Sequence, residues 1–371
     1  MTHRTSRRRR ELPRSPARQR GIALLVAILL VALGTIIAAD IAYRSAMSAR
    51  RATATLSFDE SLLVAEAAEA LSAYGLKAVL GSGGGGKTGG TNAANVNAQQ
   101  PWNTPVGPIE VVPGVTLEAQ LEDLQGRFNL NWLVVSGSAN GQPGGNGNSP
   151  QVLGGNGNSN NPTQGAAVPG QPNQQAVAAF RKLLELSNVD PKWADMVVDW
   201  IDADNQPQTQ GAEDSAYMGQ NPPYLAANQY ITSTTELLAL PGFGRENYQK
   251  IAPFIAALPP TSTLNICTAK GRVLDAFIPA GSSEWEDEAA LAKNRAGAPP
   301  PGCFPDSKTY SNTFGAQAGT SFNASLFAET SSYFRLSSLV TIGSAEFNLY
   351  SLLFLDSQYF VHPIQRSFSP D

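Results

Sequence analysis

Hydrophobic and polar positions divide this chain into four regimes. From Ile22 to Ala39 every residue is apolar or small, with only Gly34 and Thr35 interrupting, and Asp40 ends the run. That length lies at the short end of the roughly 17–25 residues a bilayer-spanning helix needs. The stretch from Asp40 to Leu80 has no proline and is rich in Ala, Leu and Glu, which favour helix. Leu56, Leu63, Ala67 and Ala70 to Tyr74 recur near helical spacing beside Asp59, Glu60, Glu66 and Glu69. A single helix from Ile22 to Leu80 would be roughly 90 Å long at about 1.5 Å per residue. The glycine run GSGGGGKTGGTN stops it.

Beyond the glycines the period drops to two. Ile109–Val112 and Val115–Leu124 read as strands across a Pro113-Gly114 turn, with Val115, Leu117, Ala119 and Leu121 alternating with polar residues. GRFNLNWLVV closes this first β-rich segment. Residues 136–175 are dominated by Gly, Asn, Pro, Gln and Ser, so they hold too little apolar area to offset ordering entropy and read as a disordered loop. Helical periodicity then returns in AVAAFRKLLELSNV and in PKWADMVVDWID, the second opened by Asp190 as cap and Pro191 as first helical residue. TSTTELLALPGF and RENYQKIAPFIAAL form a further helical pair. STLNICTAK returns to a β-rich reading, and YFRLSSLVTI with AEFNLYSLLFL form a closing hairpin around Gly343-Ser344. The two β-rich regions are expected to make one sheet interrupted by a helical domain.

Net charge is −4, but it is unevenly placed. Residues 1–21 hold eight arginines and one glutamate, a net +7, so the rest carries −11. A basic head before an apolar run holds that end in the cytoplasm and places the remainder outside. The expected topology is a single pass of the inner membrane with a periplasmic body. The acidic body argues against a nucleic-acid partner, whose phosphates demand the opposite sign. With only His3, His362, Cys267 and Cys303 in the chain, a His/Cys zinc centre is excluded. A hydrolytic triad has little to draw on, and no catalytic residues are expected. Two cysteines in an exported chain make one possible disulfide, Cys267–Cys303, with two unpaired thiols as the alternative.

The small residue Gly21 precedes the apolar run instead of following it, so cleavage there would remove the charges and keep the membrane helix. This basic leader ending in glycine, with its apolar helix and amphipathic extension, resembles the type IV pilin and pseudopilin class. In that class a prepilin peptidase cuts after the glycine, here between Gly21 and Ile22, and methylates the new amine. The class pattern has glutamate at the fifth mature position, which is Val26 here. One branch lacks that glutamate, the minor pseudopilin K of type II secretion (general secretion pathway protein K). DWIDAD, GAEDSAY, PPYLAANQ, TELLALPGF, LNICTA and SSYFRL carry the resemblance to that branch, although the family usually has asparagine where Cys267 stands.

The resemblance implies an α+β, pilin-like fold: a long N-terminal membrane helix packed on a β-sheet, plus an inserted all-α domain. The expected divisions are a cleaved leader (1–21), the transmembrane and amphipathic helix (22–80), a first segment of the pilin body (81–135), the loop (136–175), the helical domain (176–260) and a second segment of the pilin body (261–371). It implies a minor pseudopilin at the tip of the pseudopilus, initiating assembly and helping folded proteins cross the outer membrane. Its implied partners are minor pseudopilins I and J, other pseudopilins and the prepilin peptidase.

Asp195, Asp199 and Asp202 share one helix face by their i, i+4, i+7 spacing, where like charges repel unless neutralised. A hard cation with oxygen ligands would neutralise them, and a solvated acidic face is the bland alternative. The resemblance implies calcium in the helical domain, with Asp202, Asp204, Glu213, Asp214 and Asp199 as candidate ligands. A rival function rests on TELLALPGFGRENYQKIAPFI, whose Pro-Gly-x-Gly turn resembles a helix-hairpin-helix able to present N–H groups to a phosphate. That reading makes the protein a membrane-anchored periplasmic DNA-binding module. Five basic against ten acidic residues over 171–260 argue against it.

Overall fold

The computed structural model describes residues 20–81, 95–137, 168–278, 285–298, 302–318 and 324–369. The expected leader up to residue 19 lies outside them, as does 138–167 of the expected loop. The chain falls into two units, one ending at Glu60 and the other beginning at Ser61.

The first unit is the membrane-length part of helix α1 (Arg20–Leu80). Its apolar side chains, among them Ile22, Leu25, Val26, Ile28 and Ile36, stand exposed all round, which suits lipid as solvent. Thr35 does not spoil this, because its hydroxyl donates to the Ala32 carbonyl at 2.8 Å and leaves no bare polar group.

In the second unit, the last turns of α1 bury Ala65, Ala68, Leu76 and Leu80. They pack on an antiparallel sheet of five strands: β1 (Val106–Val112), β2 (Val115–Asp123), β3 (Tyr333–Ile342), β4 (Ala345–Leu355) and β5 (Val361–Ser367), in that spatial order. Alternation decides which side faces the helix: Val115, Leu117 and Leu121 of β2 point inward with Phe334, Leu336 and Val340 of β3 and Leu349 and Leu353 of β4. β5 is absent from the sequence reading because Pro363 and its exposed neighbours hide a strand. At an edge a missing N–H is tolerated. β5 is tied to α1 by Arg366, whose Nε and Nη2 donate to the buried Glu69 carboxylate at 2.9 and 2.7 Å.

Between β2 and β3 the chain builds a second core. Phe128, Trp132, Phe180 and Phe277 stack in its centre, with Phe128 and Phe180 centroids 5.3 Å apart. Around them pack α2 (Gln174–Leu186), α3 (Trp193–Ile201), α4 (Asp214–Tyr217), α5 (Gly244–Ile251), α6 (Gly271–Phe277), α7 (Glu288–Gly297) and α8 (Ser307–Ala318).

This core is larger than the expected 176–260 domain. GRFNLNWLVV joins it instead of the pilin sheet, because buried Asn131 there bridges the Ile231 and Leu258 carbonyls at 2.9 and 2.8 Å and bends the chain into a 3-10 turn. Residues after 261 also belong to it as far as Phe327, with Leu264, Ile266, Cys267 and Leu274 buried in the same cluster and Phe327 packed on Phe277 and Tyr310; pilin-sheet strands resume only at Tyr333. The expected loop of 136–175 is also shorter at both ends, because Val134–Gly137 pairs antiparallel with Val168–Pro172.

The two cores meet at the end of β2. Asp123 is buried and its Oδ2 accepts from Thr268 Oγ1, Ser331 Oγ and Asn265 Nδ2 at 2.5, 2.6 and 2.9 Å, while Oδ1 accepts from the Gln125 amide at 2.9 Å. Burial pushes its carboxyl up, against these four donors. On the other face of the strand, Glu122 meets Arg127 at 2.5 Å and Arg335 at 2.7 Å.

Candidate metal centre

Helix α3 ends on Asp202, whose N–H closes the last turn onto the Val198 carbonyl at 2.8 Å. The chain then leaves as a polar loop and returns at Glu213, the residue before α4. Two aspartates on α3 shape that loop. Asp199 accepts from the Gln208 amide with both oxygens at 3.1 Å, and Asp195 Oδ2 accepts from the Gln210 amide at 3.2 Å. Gly211 lets the loop close: a Cβ there would lie 1.8 Å from Asp199 Oδ2. We expect Gly211→Ala to open the loop and weaken cation binding at least tenfold, measured by isothermal titration with calcium, while Gly219→Ala, with its nearest neighbour at 3.5 Å, leaves it unchanged.

Loop closure brings Asp202, Asp204 and Glu213 together, with carboxylate oxygens within 4.8 Å of one another. Both oxygens of Asp202 and both of Glu213 are buried without a hydrogen-bond partner. Tyr217 Oη and Asn228 Oδ1 are in the same condition, so six of the nine such atoms among the described residues belong to the stretch from Asp202 to Asn228. Burial, then repulsion from neighbouring carboxylates, pushes Asp202 and Glu213 each up to about 7. Burial raises Asp199 to about 6 despite its backbone donors.

The five candidate ligands therefore divide. Asp202, Asp204 and Glu213 converge. Asp199 is occupied by the loop backbone, and Asp214 Oδ1 by the Ala226 amide at 3.0 Å. Asp195, the third member of the sequence's acidic face, is neutralised by an ion pair with Arg181, so the i, i+4, i+7 row is not the cluster. Three converging carboxylates, four of whose oxygens are buried without a hydrogen-bond donor, are the setting in which a divalent cation with oxygen ligands is stabilising.

The other sequence candidates fall elsewhere. Cys267 and Cys303 are joined in a disulfide, Cα atoms 4.7 Å apart, tying the segment before α8 to the second core. The helix-hairpin-helix-like segment buries Leu240, Phe243 and Ile251, and Phe243 meets Trp193 edge-on at 5.1 Å. Its Lys250 pairs with Glu246 at 2.8 Å, which leaves Arg245 as its one basic side chain without an ion-pair partner among the described residues. Gly21 and Ile22 lie in the first turns of α1, and Val26 stands exposed within the apolar run.

A long N-terminal helix laid on an antiparallel sheet, with a helical insert between strands, is the pilin-like fold. It matches a chain of the GspK-GspI-GspJ complex from the enterotoxigenic Escherichia coli type 2 secretion system with a TM-score of 0.57 and 23% identity, over 86% of this chain and 100% of that one. Residues 126–260 match the first-domain model of type II secretion system protein K. Type II secretion system protein K of Klebsiella pneumoniae is 31% identical over 71% of this chain and 71% of its own length. The Aeromonas hydrophila protein is 32% identical over 68% of each, and the Pseudomonas aeruginosa one 29% over 70% and 68%. The chain belongs to the type II secretion system protein K family.

Proposed function

We propose that this protein is a minor pseudopilin at the tip of the type II pseudopilus, a structural subunit that initiates assembly with minor pseudopilins I and J and so helps folded proteins cross the outer membrane. The carrying observation is an apolar helix with no carboxylate at Val26, in a chain of the protein K family. In a filament, the fifth-position glutamate of one subunit would pair with the terminal amine of its predecessor, since an unpaired buried charge is costly. A subunit with Val26 offers no such pair and needs no predecessor. The large insert between β2 and β3 is bulk that an interior position in a filament would have to accommodate, which supports the same place. Prepilin peptidase cutting between Gly21 and Ile22, followed by methylation, would supply the amine at the inner membrane and leave the body in the periplasm.

Calcium belongs to the same proposal. The residues present fit it: Asp202 and Glu213 offer four orphaned oxygens, Asp204 lies beside them, and Asp199 and Asp214 hold the backbone that presents them. When bound, the ion neutralises the cluster and orders the loop.

Co-expression of the full chain with prepilin peptidase and pseudopilins I and J tests the reading. We expect N-terminal sequencing to begin at methylated Ile22 and the three proteins to co-purify. Met1 retained beside an active peptidase would overturn it. Val26→Glu should leave cleavage intact and change how often the subunit enters pseudopili.

A further inference from the structure

Just past the apolar run, α1 carries a one-sided basic stripe. At 3.6 residues per turn, Asp40, Tyr43, Arg44, Met47, Arg50 and Arg51 fall within about a third of the circumference. Tyr43, Arg44, Met47, Ser48 and Arg51 line a common surface depression on this face. The opposite side of the same turns is mostly small residues, Ala42, Ser45, Ala49 and Ala52, with Ile41 at its edge. Among the described residues neither Arg50 nor Arg51 has an ion-pair partner, and Arg44 meets only Asp40, its Nε 2.8 Å from Oδ2.

Height along the helix decides what this face meets. Counting from Ile22, Asp40 lies about 27 Å along the axis, Arg44 about 33 Å, and Arg50 and Arg51 about 42–44 Å. A bilayer has about 30 Å of hydrocarbon and about 40–45 Å including headgroups. Asp40 thus falls at the edge of the hydrocarbon, where Arg44 neutralises it. Tyr43 sits at the depth favoured by interfacial aromatic rings. With the hydrocarbon ending near Asp40, the far headgroup layer spans roughly 30–38 Å from Ile22. Arg44 lies inside that layer, and Arg50 and Arg51 lie about 4–9 Å above it, from where side chains that lean toward the helix N-terminus reach back to the phosphates.

We propose that the Tyr43–Arg51 face of α1 is a phospholipid-binding surface, on which Arg50 and Arg51, with Arg44, hold headgroup phosphates of the far leaflet. Guanidinium groups suit this because their donor fork matches a phosphate's oxygens. Being one-sided, the contact fixes the helix's rotation as well as its depth, and turns the small-residue side away from the bound headgroups. The inference rests on the membrane-anchored reading above.

The chain's two cysteines are bonded to each other, so one added cysteine can be spin-labelled alone. We would label Ala49→Cys, on the side away from the stripe, in the full chain reconstituted into phosphatidylcholine vesicles with one-third phosphatidylglycerol. Its depth is read from collision with oxygen and with a water-soluble nickel chelate. With the arginines intact the label should sit just above the headgroup layer, at the depth the arginines set. Arg50→Gln with Arg51→Gln should move it by about 3 Å, two residues of helix, whereas Arg50→Lys with Arg51→Lys should hold it in place. An inserted label whose depth ignores the glutamine pair overturns the inference alone. If that pair instead abolishes co-purification with other pseudopilins at unchanged depth, the arginines serve an acidic protein partner and the inference again fails. A chain that never enters the vesicles overturns the anchored reading with it.

Discussion

Saturating calcium is expected to raise the melting temperature of the protein, and substitution at two carboxylates should erase the rise while stabilising the calcium-free form. The sign follows from where the charges sit. Folded Asp202 and Glu213 hold their protons up to about pH 7 and Asp199 to about pH 6, against roughly 4 for such groups in an unfolded chain. Their folded pKa values are raised, so the stability they contribute is fully present below pH 4 and is lost as pH rises through 6 to 7. Without calcium the protein should therefore melt progressively lower between pH 5 and pH 8. With calcium at about a hundred times its Kd, stabilisation of about 2.7 kcal/mol is expected at pH 8, and less at pH 5 where protons compete. Asp202→Asn with Glu213→Gln removes the repulsion, so the calcium-free variant should melt higher than wild type at pH 8 and respond to neither calcium nor chelator. Differential scanning calorimetry at the two pH values with calcium or EDTA reads all of this. A variant that still gains from calcium would move the ion elsewhere. A wild type indifferent to EDTA, with metal analysis showing none carried through purification, would remove it altogether.

Asp123→Ala should cost about 3–5 kcal/mol, the largest loss expected of a single substitution here. The carboxylate is buried and takes four donors, and three of them come from segments distant in sequence: Asn265, Thr268 and Ser331. Deleting it strands donors that water cannot reach, each worth about 1–3 kcal/mol of desolvation. Asp123→Asn keeps the volume and some acceptor capacity, so it should lose less. The effect belongs to the joint between the cores. We therefore expect urea unfolding of the alanine variant to split into two transitions, sheet and helical lobe, followed by tryptophan fluorescence from Trp102 in the first and from Trp132, Trp193, Trp200 and Trp285 in the second. A single transition at an unchanged midpoint would show that the joint is held by the Glu122 pairs with Arg127 and Arg335 instead.

The long helix was legible because its signals are local: apolar run, absence of proline, glycine stop. So were β2 through β4, where period-two alternation marks one buried face. What the sequence concealed was long-range. FNLNW alternates like a strand, but the buried amides of Asn129 and Asn131 serve carbonyls 100 or more residues away, and no local pattern records that. Helices α6 to α8 read as β-rich or shapeless because α7 and α8 present only weakly one-sided apolar faces; their burial is decided by Trp285 and Tyr310, whose centroids stack 5.2 Å apart. In the acidic stretch, spacing along α3 put Asp195 on one face with Asp199 and Asp202 but said nothing of which of them meets Asp204 and Glu213. Asp195 is on the right face of the helix, but Arg181 from α2 reaches it first. The resemblance named five candidate carboxylates, and the folded loop singles out the three that converge, Asp202, Asp204 and Glu213.

Asp123 and Phe334 are direct partners across β2 and β3. The chain thus leaves the sheet and comes back at adjacent rungs of one ladder, with an insert of roughly two hundred residues between them, and closing so long a flexible loop is entropically uphill. An insert that has already condensed around Phe128 presents its two ends close together and removes most of that cost. The order of events follows: the helical lobe, whose core takes its last contribution from Phe327, can fold before β3 to β5 have been made. The sheet is then zipped last, with Arg366 catching Glu69 as the closing stitch. The long helix is made first, yet the sheet on which its last turns pack waits for β5.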